Sequence, residues 1–192
     1  SSSSSSSSFS PVQGRDVVWG DYVVAGFMGV GDALAVASRG DRPASGLEIR
    51  HGVDLAVGST LPPGGGLSSS SALVCASALA ALTAHGDRSL LSRLDLARVC
   101  AGAERHVGTL GGGMDHAAVL LSRAGEALHI AFRPSLSATP CLLPRRAALL
   151  VAHSLAESFK AGKTHPFNRR VRETRLAAAI LAHALTRDSG GG

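Results

Sequence analysis

The chain has 192 residues, 45% of them apolar and 17% charged, with a net charge of +5. That is enough for one good-sized domain, or for one domain and part of a second, each with a core. Composition argues against a membrane span, because the longest apolar-rich stretch, Ala72 to Ala84, is too short to cross a bilayer, and no secretory leader is visible.

Ser1 to Ser8 is a pure serine tract with nothing to bury, which predicts a disordered, serine-rich tail over residues 1–14. Val23, Phe27, Val30 and Leu34 then recur at helical spacing, predicting a helix over Asp21–Val36. A turn at Gly40–Gly46 follows. Leu47, Ile49, Val53, Leu55 and Val57 alternate with polar residues around His51-Gly52 and read as a β-hairpin. The glycine-rich stretch from Leu61 runs into an apolar helix ending near His85-Gly86. Another helix is predicted from Ser89 to about Glu104, with Leu90, Leu91, Leu94, Ala97 and Cys100 as its apolar face. A second glycine loop, Gly108–Gly113, leads into a helix from Met114 to about Leu121. Leu128–Phe132 and Ala148–Ala152 look like strands, and Lys163–Leu185 reads as a long amphipathic helix. This order is that of an α+β domain over residues 15–144, with a second domain beginning near residue 145.

Cys75, Cys100 and Cys141 are odd in number, widely spaced and set among apolar residues, so they read as reduced core residues of a cytoplasmic protein. Residues 131–192 carry a net charge of +7 against −2 for residues 1–130. With five Phe, one Trp and one Tyr there is little to stack on bases, so this basic half reads as a solvated helix face rather than a nucleic-acid surface. Arg169, Arg170, Arg172 and Arg175 belong to that face. His51, His85, His129, His165 and His183 share no metal-ligand spacing and read as surface or turn residues.

The two glycine loops carry the chemistry. A glycine loop opening a helix lets the backbone approach a phosphate, while free N–H groups and the helix dipole attract the anion. Gly64, Gly65 and Gly66 would form that loop, and Ser68 to Ser71 would cap the helix and offer hydroxyls to phosphate or to a phosphate-bound metal. There is no Walker lysine. On composition alone a phosphate loop and a linker stand level, and the uninterrupted helix behind the serines favours the phosphate loop. The second loop delivers Asp115 to a helix start, where an Asp is most often a cap but also suits a base or a partner for a substrate hydroxyl. Glu104 lies eleven residues before it.

Together these residues resemble a known family. Pro62-Pro-Gly-Gly-Gly-Leu-Ser-Ser-Ser-Ser-Ala72 resembles the phosphate loop of the GHMP small-molecule kinases. Ala103-Glu-Arg-His-Val-Gly-Thr-Leu-Gly-Gly-Gly-Met-Asp115 resembles the second signature of their galactokinase branch. His153 to Lys160 and Phe167 to Ala178 extend the likeness, which covers roughly residues 18–187. It implies the GHMP N-terminal domain, related to the second domain of ribosomal protein S5, followed by the start of the GHMP C-terminal domain. It also implies phosphorylation of the anomeric hydroxyl of galactose or N-acetylgalactosamine by ATP with Mg²⁺, in a monomer acting on small molecules, with no nucleic acid or membrane involved.

By this resemblance Pro63, Gly64, Gly65, Gly66, Leu67, Ser68, Ser69, Ser70, Ser71 and Lys160 bind ATP. Ser70 and Glu104 hold the metal, Gly113 and Asp115 contact the sugar, and Asp115 is the catalytic group that takes or orients the hydroxyl proton. Aspartate as a residue type is a weak base, with a reference pKa of about 3.9, so orientation counts for more than proton abstraction.

The sequence departs from the family in places. The N-terminal sugar motif, an arginine followed closely by G-E-H-x-D-Y, is absent, as is the third glycine motif, and His116 replaces the usual glutamine. The chain therefore reads as a fragment of a longer protein or an incomplete gene model, inactive alone. The competing reading is a non-catalytic sugar and ATP sensor acting through a protein partner, which the intact Glu104 and Asp115 disfavour.

Overall fold

The structure is a computed structural model describing residues 16–37, 52–85, 90–152, 154–156 and 165–188. In chain order these form α1 (Trp19–Ala37), α2 (Ser69–Ala84), α3 (Arg93–Ala103), a 3₁₀ turn (Glu104–Val107) and α4 (Met114–Leu121). Strands β1 (Glu126–Ala131) and β2 (Ser137–Leu142) and helix α5 (Pro166–Asp188) follow. The class is α+β, with few strands: β1 and β2 make a two-stranded antiparallel ladder running from Glu126↔Leu142 to Ala131↔Ser137.

Local signals set the helix starts. At α1, the Val18 N–H donates to Asp21 Oδ2 at 2.8 Å and the Asp21 N–H donates to the Val18 carbonyl at 3.0 Å, which satisfies donors that a first turn otherwise orphans. At α3, Ser92 Oγ accepts from the Asp95 N–H at 3.1 Å and donates to Asp95 Oδ2 at 2.7 Å. That reciprocal cap starts the helix at Arg93, later than the Ser89 start anticipated, and Leu90 and Leu91 pack on the core from outside it. Pro166 opens α5, whose Phe167 N–H donates to His165 Nδ1 at 3.2 Å.

The core lies between α1, α2, α3 and α4, and is filled by Val30, Leu34, Val74, Leu82, Leu96 and Leu120. Small residues bring α1 close. A Cβ at Gly26 would meet the Val74 carbonyl oxygen at 2.6 Å, and one at Gly29 would meet Ala103 Cβ at 2.6 Å. Cys75 and Cys100 are buried there as free thiols, and the hydrogen bond that the Cys75 thiol makes to Cys100, with burial, raises the Cys75 pKa.

Several expectations need correction. Residues 52–59 form no strand; their anticipated partner, with Leu47, Ile49 and His51, lies outside the described residues, as does the Gly40–Gly46 turn. Ala148–Ala152 is not a strand either. Leu149, Leu150 and Val151 are 82%, 94% and 73% exposed, and no described strand lies beside them to complete their hydrogen bonds. Instead β1 pairs with Ser137–Leu142, a weak strand former whose Pro140 is tolerated because a two-stranded sheet has only edges. Cys141, on that strand, is exposed. The serine tract 1–14 lies outside the described residues.

Candidate functional site

The first glycine loop folds back on itself, with the Gly65 N–H donating to the Pro62 carbonyl at 3.4 Å. Gly64 and Gly66 have φ of 68° and 75°, a left-handed backbone that glycine adopts without penalty. Ser68 follows in the same region with φ 57° and ψ 38°. For a serine this costs about 1–2 kcal/mol. It also explains why the expected serine cap is absent: a capping residue takes extended dihedrals, and the Ser68 side chain makes no cap hydrogen bond. The first turn of α2 thus keeps N–H groups that no side chain among the described residues covers, which is the state a helix start needs to receive an anion.

Ser71, in that first turn, points inward. Its Oγ donates to Glu104 Oε1 at 2.8 Å, and both residues are buried. Glu104 stands where α3 tightens into the 3₁₀ turn. Its other oxygen, Oε2, makes no hydrogen bond among the described residues and lies over the second glycine loop, where a Cβ at Gly111 would meet it at 3.1 Å. His116, in the first turn of α4, brings its Nε2 to 3.5 Å from Glu104 Oε1. That is ion-pair range but too long for a hydrogen bond, so neither ring nitrogen of this buried imidazole has a hydrogen-bond partner among the described residues.

The starts of α2 and α4 and the end of α3 therefore meet on one carboxylate. Asp115, half-buried, precedes His116 at the same helix start, which Gly113 opens with φ 88°. Tyr22 of α1 lies near the group: its phenol pKa is raised by burial first, then by the Glu104 and Asp21 carboxylates. Neither Glu104 nor Asp115 pairs with a Lys or Arg among the described residues. No three His, Cys, Asp or Glu side chains there form a metal cluster. One unengaged carboxylate oxygen and a nearby serine-bearing turn suit a hard divalent cation such as Mg²⁺, which takes one or two protein oxygens and fills its remaining positions with phosphate and water.

Among the residues singled out from sequence, Ser71 and Glu104 are in direct contact, and Asp115 precedes His116, the α4 residue whose ring faces Glu104. Ser70 is half-buried beside Ser71, and its hydroxyl makes no hydrogen bond among the described residues. Lys160, His153 and Phe159 lie outside the described residues. Asn168 of α5 was not anticipated. It is buried, its Oδ1 accepts from the Leu110 N–H at 2.9 Å, and its Nδ2 donates to the Gly108 carbonyl at 2.6 Å. Its sequence signals are its place in the Phe167 to Ala178 stretch of the family likeness and near the start of an amphipathic helix, and neither points to a bond with the second glycine loop.

Comparison with known proteins agrees with this geometry. Residues 31–123 match the family "GHMP kinases N terminal domain". Over 166 residues the chain is 37% identical to a galactokinase of Dictyostelium discoideum, covering 85% of this chain and 30% of that protein. A galactokinase of Candida parapsilosis is 39% identical over 137 residues, covering 70% of this chain and 27% of that protein. One from Saccharomyces cerevisiae is 39% identical over 129 residues, covering 64% and 24%. The chain thus spans under a third of the length of these relatives. Both signature loops meet at Glu104, residues 31–123 match the GHMP kinase N-terminal domain family, and the chain is similar to galactokinases.

Proposed function

We propose that this chain is the nucleotide-binding part of a galactokinase-type phosphotransferase, which moves the γ-phosphoryl group of ATP to the anomeric hydroxyl of galactose or N-acetylgalactosamine. The observation that carries the reading is the meeting of Ser71, Glu104 and the Asp115 helix start at one point, in a chain similar to galactokinases.

In this reading the Gly64–Gly66 loop and the uncovered N–H groups of α2 receive the phosphates. Pro63 and Leu67 shape the loop, Ser68, Ser69 and Ser70 line it, Ser71 turns inward to Glu104, and Lys160 contributes to nucleotide binding. Glu104, through Oε2, and the Ser70 hydroxyl hold Mg²⁺, which supplies neutralisation of phosphate charge when bound. Gly113 lets the second loop approach the sugar, and Asp115 accepts or orients the C1 hydroxyl proton. The oxygen freed of it attacks the γ-phosphorus as the bond to the β-phosphate oxygen breaks. Residues 15–144 form the N-terminal domain and 145–192 open the C-terminal one, a division supported by the exposed connection around Leu149–Val151. No described helix is long and apolar enough to cross a membrane, and in this reading the protein is a cytoplasmic monomer working on small molecules.

Two measurements test this. Titrating the chain with Mg·ATP should show saturable binding. Replacing the matching segment of the Saccharomyces cerevisiae galactokinase with residues 31–123 should leave galactose-dependent ADP release, and Asp115→Asn in that chimera should lower kcat at least about a hundredfold. An Asp115→Asn chimera as fast as its parent would sink the assignment.

A further inference from the structure

Glu104 is held asymmetrically. Its Oε1 takes the Ser71 hydroxyl at 2.8 Å and faces His116 Nε2 at 3.5 Å, both from the buried side. Its Oε2 makes no hydrogen bond among the described residues and faces the backbone of the second glycine loop at Gly111. The Ser71 hydroxyl donates inward and is itself 2% exposed, so it is not presented to a nucleotide in solvent. His116 is 1% exposed, and neither ring nitrogen has a hydrogen-bond partner among the described residues. An orphaned buried N–H of this kind is costly, and that cost is relieved when Oε1 closes on Nε2 by a few tenths of an ångström.

We infer that Ser71 and His116 are positioning residues: they hold Glu104 Oε1 from inside the protein and so aim Oε2 at the bound metal ion. This rests on the function proposed above and assigns Ser71 a task other than touching phosphate. A carboxylate free to rotate about its last torsion would spread its two oxygens over many directions, and Mg²⁺, which demands near-octahedral geometry, tolerates that poorly. The Ser71 hydroxyl on that oxygen, with the His116 imidazole packed against it in ion-pair range, restricts the freedom. Partners that orient a metal ligand in this way are worth about 10–100-fold in metal affinity. Ser71 comes from the first turn of α2 and His116 from the first turn of α4, so the carboxylate is aligned by the same two helix starts that flank the nucleotide and the sugar hydroxyl.

The test uses the full 192-residue chain with ADP and Mn²⁺, following free Mn²⁺ by electron paramagnetic resonance. Ser71→Ala and His116→Leu should each weaken Mn²⁺ binding in the ADP complex by about 10–100-fold. Their affinity for ADP without metal should stay within about threefold of the parent. Ser71→Thr keeps the hydroxyl, and His116→Gln keeps an N–H donor; both should restore Mn²⁺ binding to within about threefold. Far-ultraviolet circular dichroism and the thermal midpoint identify any variant that has failed to fold, and for such a position the conservative variant decides by its metal affinity against its metal-free ADP affinity. Unchanged Mn²⁺ affinity in Ser71→Ala and His116→Leu overturns the inference and leaves the proposed function standing. Equal losses of Mn²⁺ and metal-free ADP affinity overturn it too, since they mark a loop defect. If the parent chain binds neither Mn²⁺ with ADP nor Mg·ATP, both the function and the inference fall.

Discussion

Single backbone positions set the geometry of the site. Gly113 has φ 88°, and a Cβ there would sit 3.0 Å from Ala101 Cβ. Strain and crowding act together at this position. Gly113→Ala is therefore expected to destabilise the chain by about 1–3 kcal/mol, read from urea unfolding midpoints. Gly112 has open space around its Cβ and no left-handed φ. Gly112→Ala is the control, expected within about 0.5 kcal/mol of the parent, and equal effects of the two substitutions would refute the argument. Both glycines read identically in sequence, as members of a flexible run. The distinction comes from Ala101, a neighbour on a different element.

At the scale of elements, short-range chemistry explains most of what forms. α1, α2, α4 and α5 lie close to where apolar spacing and their flanking glycines or proline put them. α3 was misplaced because Ser89 and Ser92 are equivalent candidates until Asp95 is seen to complete a two-way cap with Ser92. Ser92→Ala should cost about 1 kcal/mol, measured by denaturant titration. Asp95 has its pKa lowered by the Ser92 hydrogen bond first and by Arg98 as well, and it is largely exposed, so its share of the stability is small. The sign follows from the direction. A carboxylate with a depressed folded pKa stabilises above its unfolded value, near 3.9, and loses that contribution as pH falls through the folded value. Ser92→Ala should thus matter most at neutral pH and least in acid. A difference that stayed constant from neutral pH down to pH 2 would count against it.

At the scale of the molecule, α5 is tied to the rest through Asn168. The Arg169 and Arg170 side chains pair with Glu173 on the exposed face, and Leu176, Ile180, Leu181 and Leu185 are exposed. Exposed pairs of this kind add little stability. The two hydrogen bonds of Asn168 to Gly108 and Leu110 are different, because removing the buried amide leaves two part-buried backbone groups without these partners. Asn168→Ala should destabilise by about 1–3 kcal/mol and speed hydrogen exchange at the Leu110 amide specifically. A Leu110 amide equally protected in the variant would show that the tie is not what orders this loop.

The helical framework, the α+β class and both glycine loops were legible in the residues, and Glu104 and Asp115 were singled out by the resemblance to the two kinase signatures. Helical periodicity, caps and glycine placement are local properties, and local free energies of about a kcal/mol each are enough to set them. Other features were not legible. Neither the β1–β2 register through Pro140, nor Ser71 turning inward to Glu104, nor the reach of Asn168 across to Gly108 could be read from the chain. Each joins residues distant along the sequence, 33 in the case of Ser71 with Glu104. Such a bond forms only after packing has brought the two segments together, and four adjacent serines give no local reason for one rather than another to face inward. That choice rests on where α3 ends against α2, which the core sets as the helices pack.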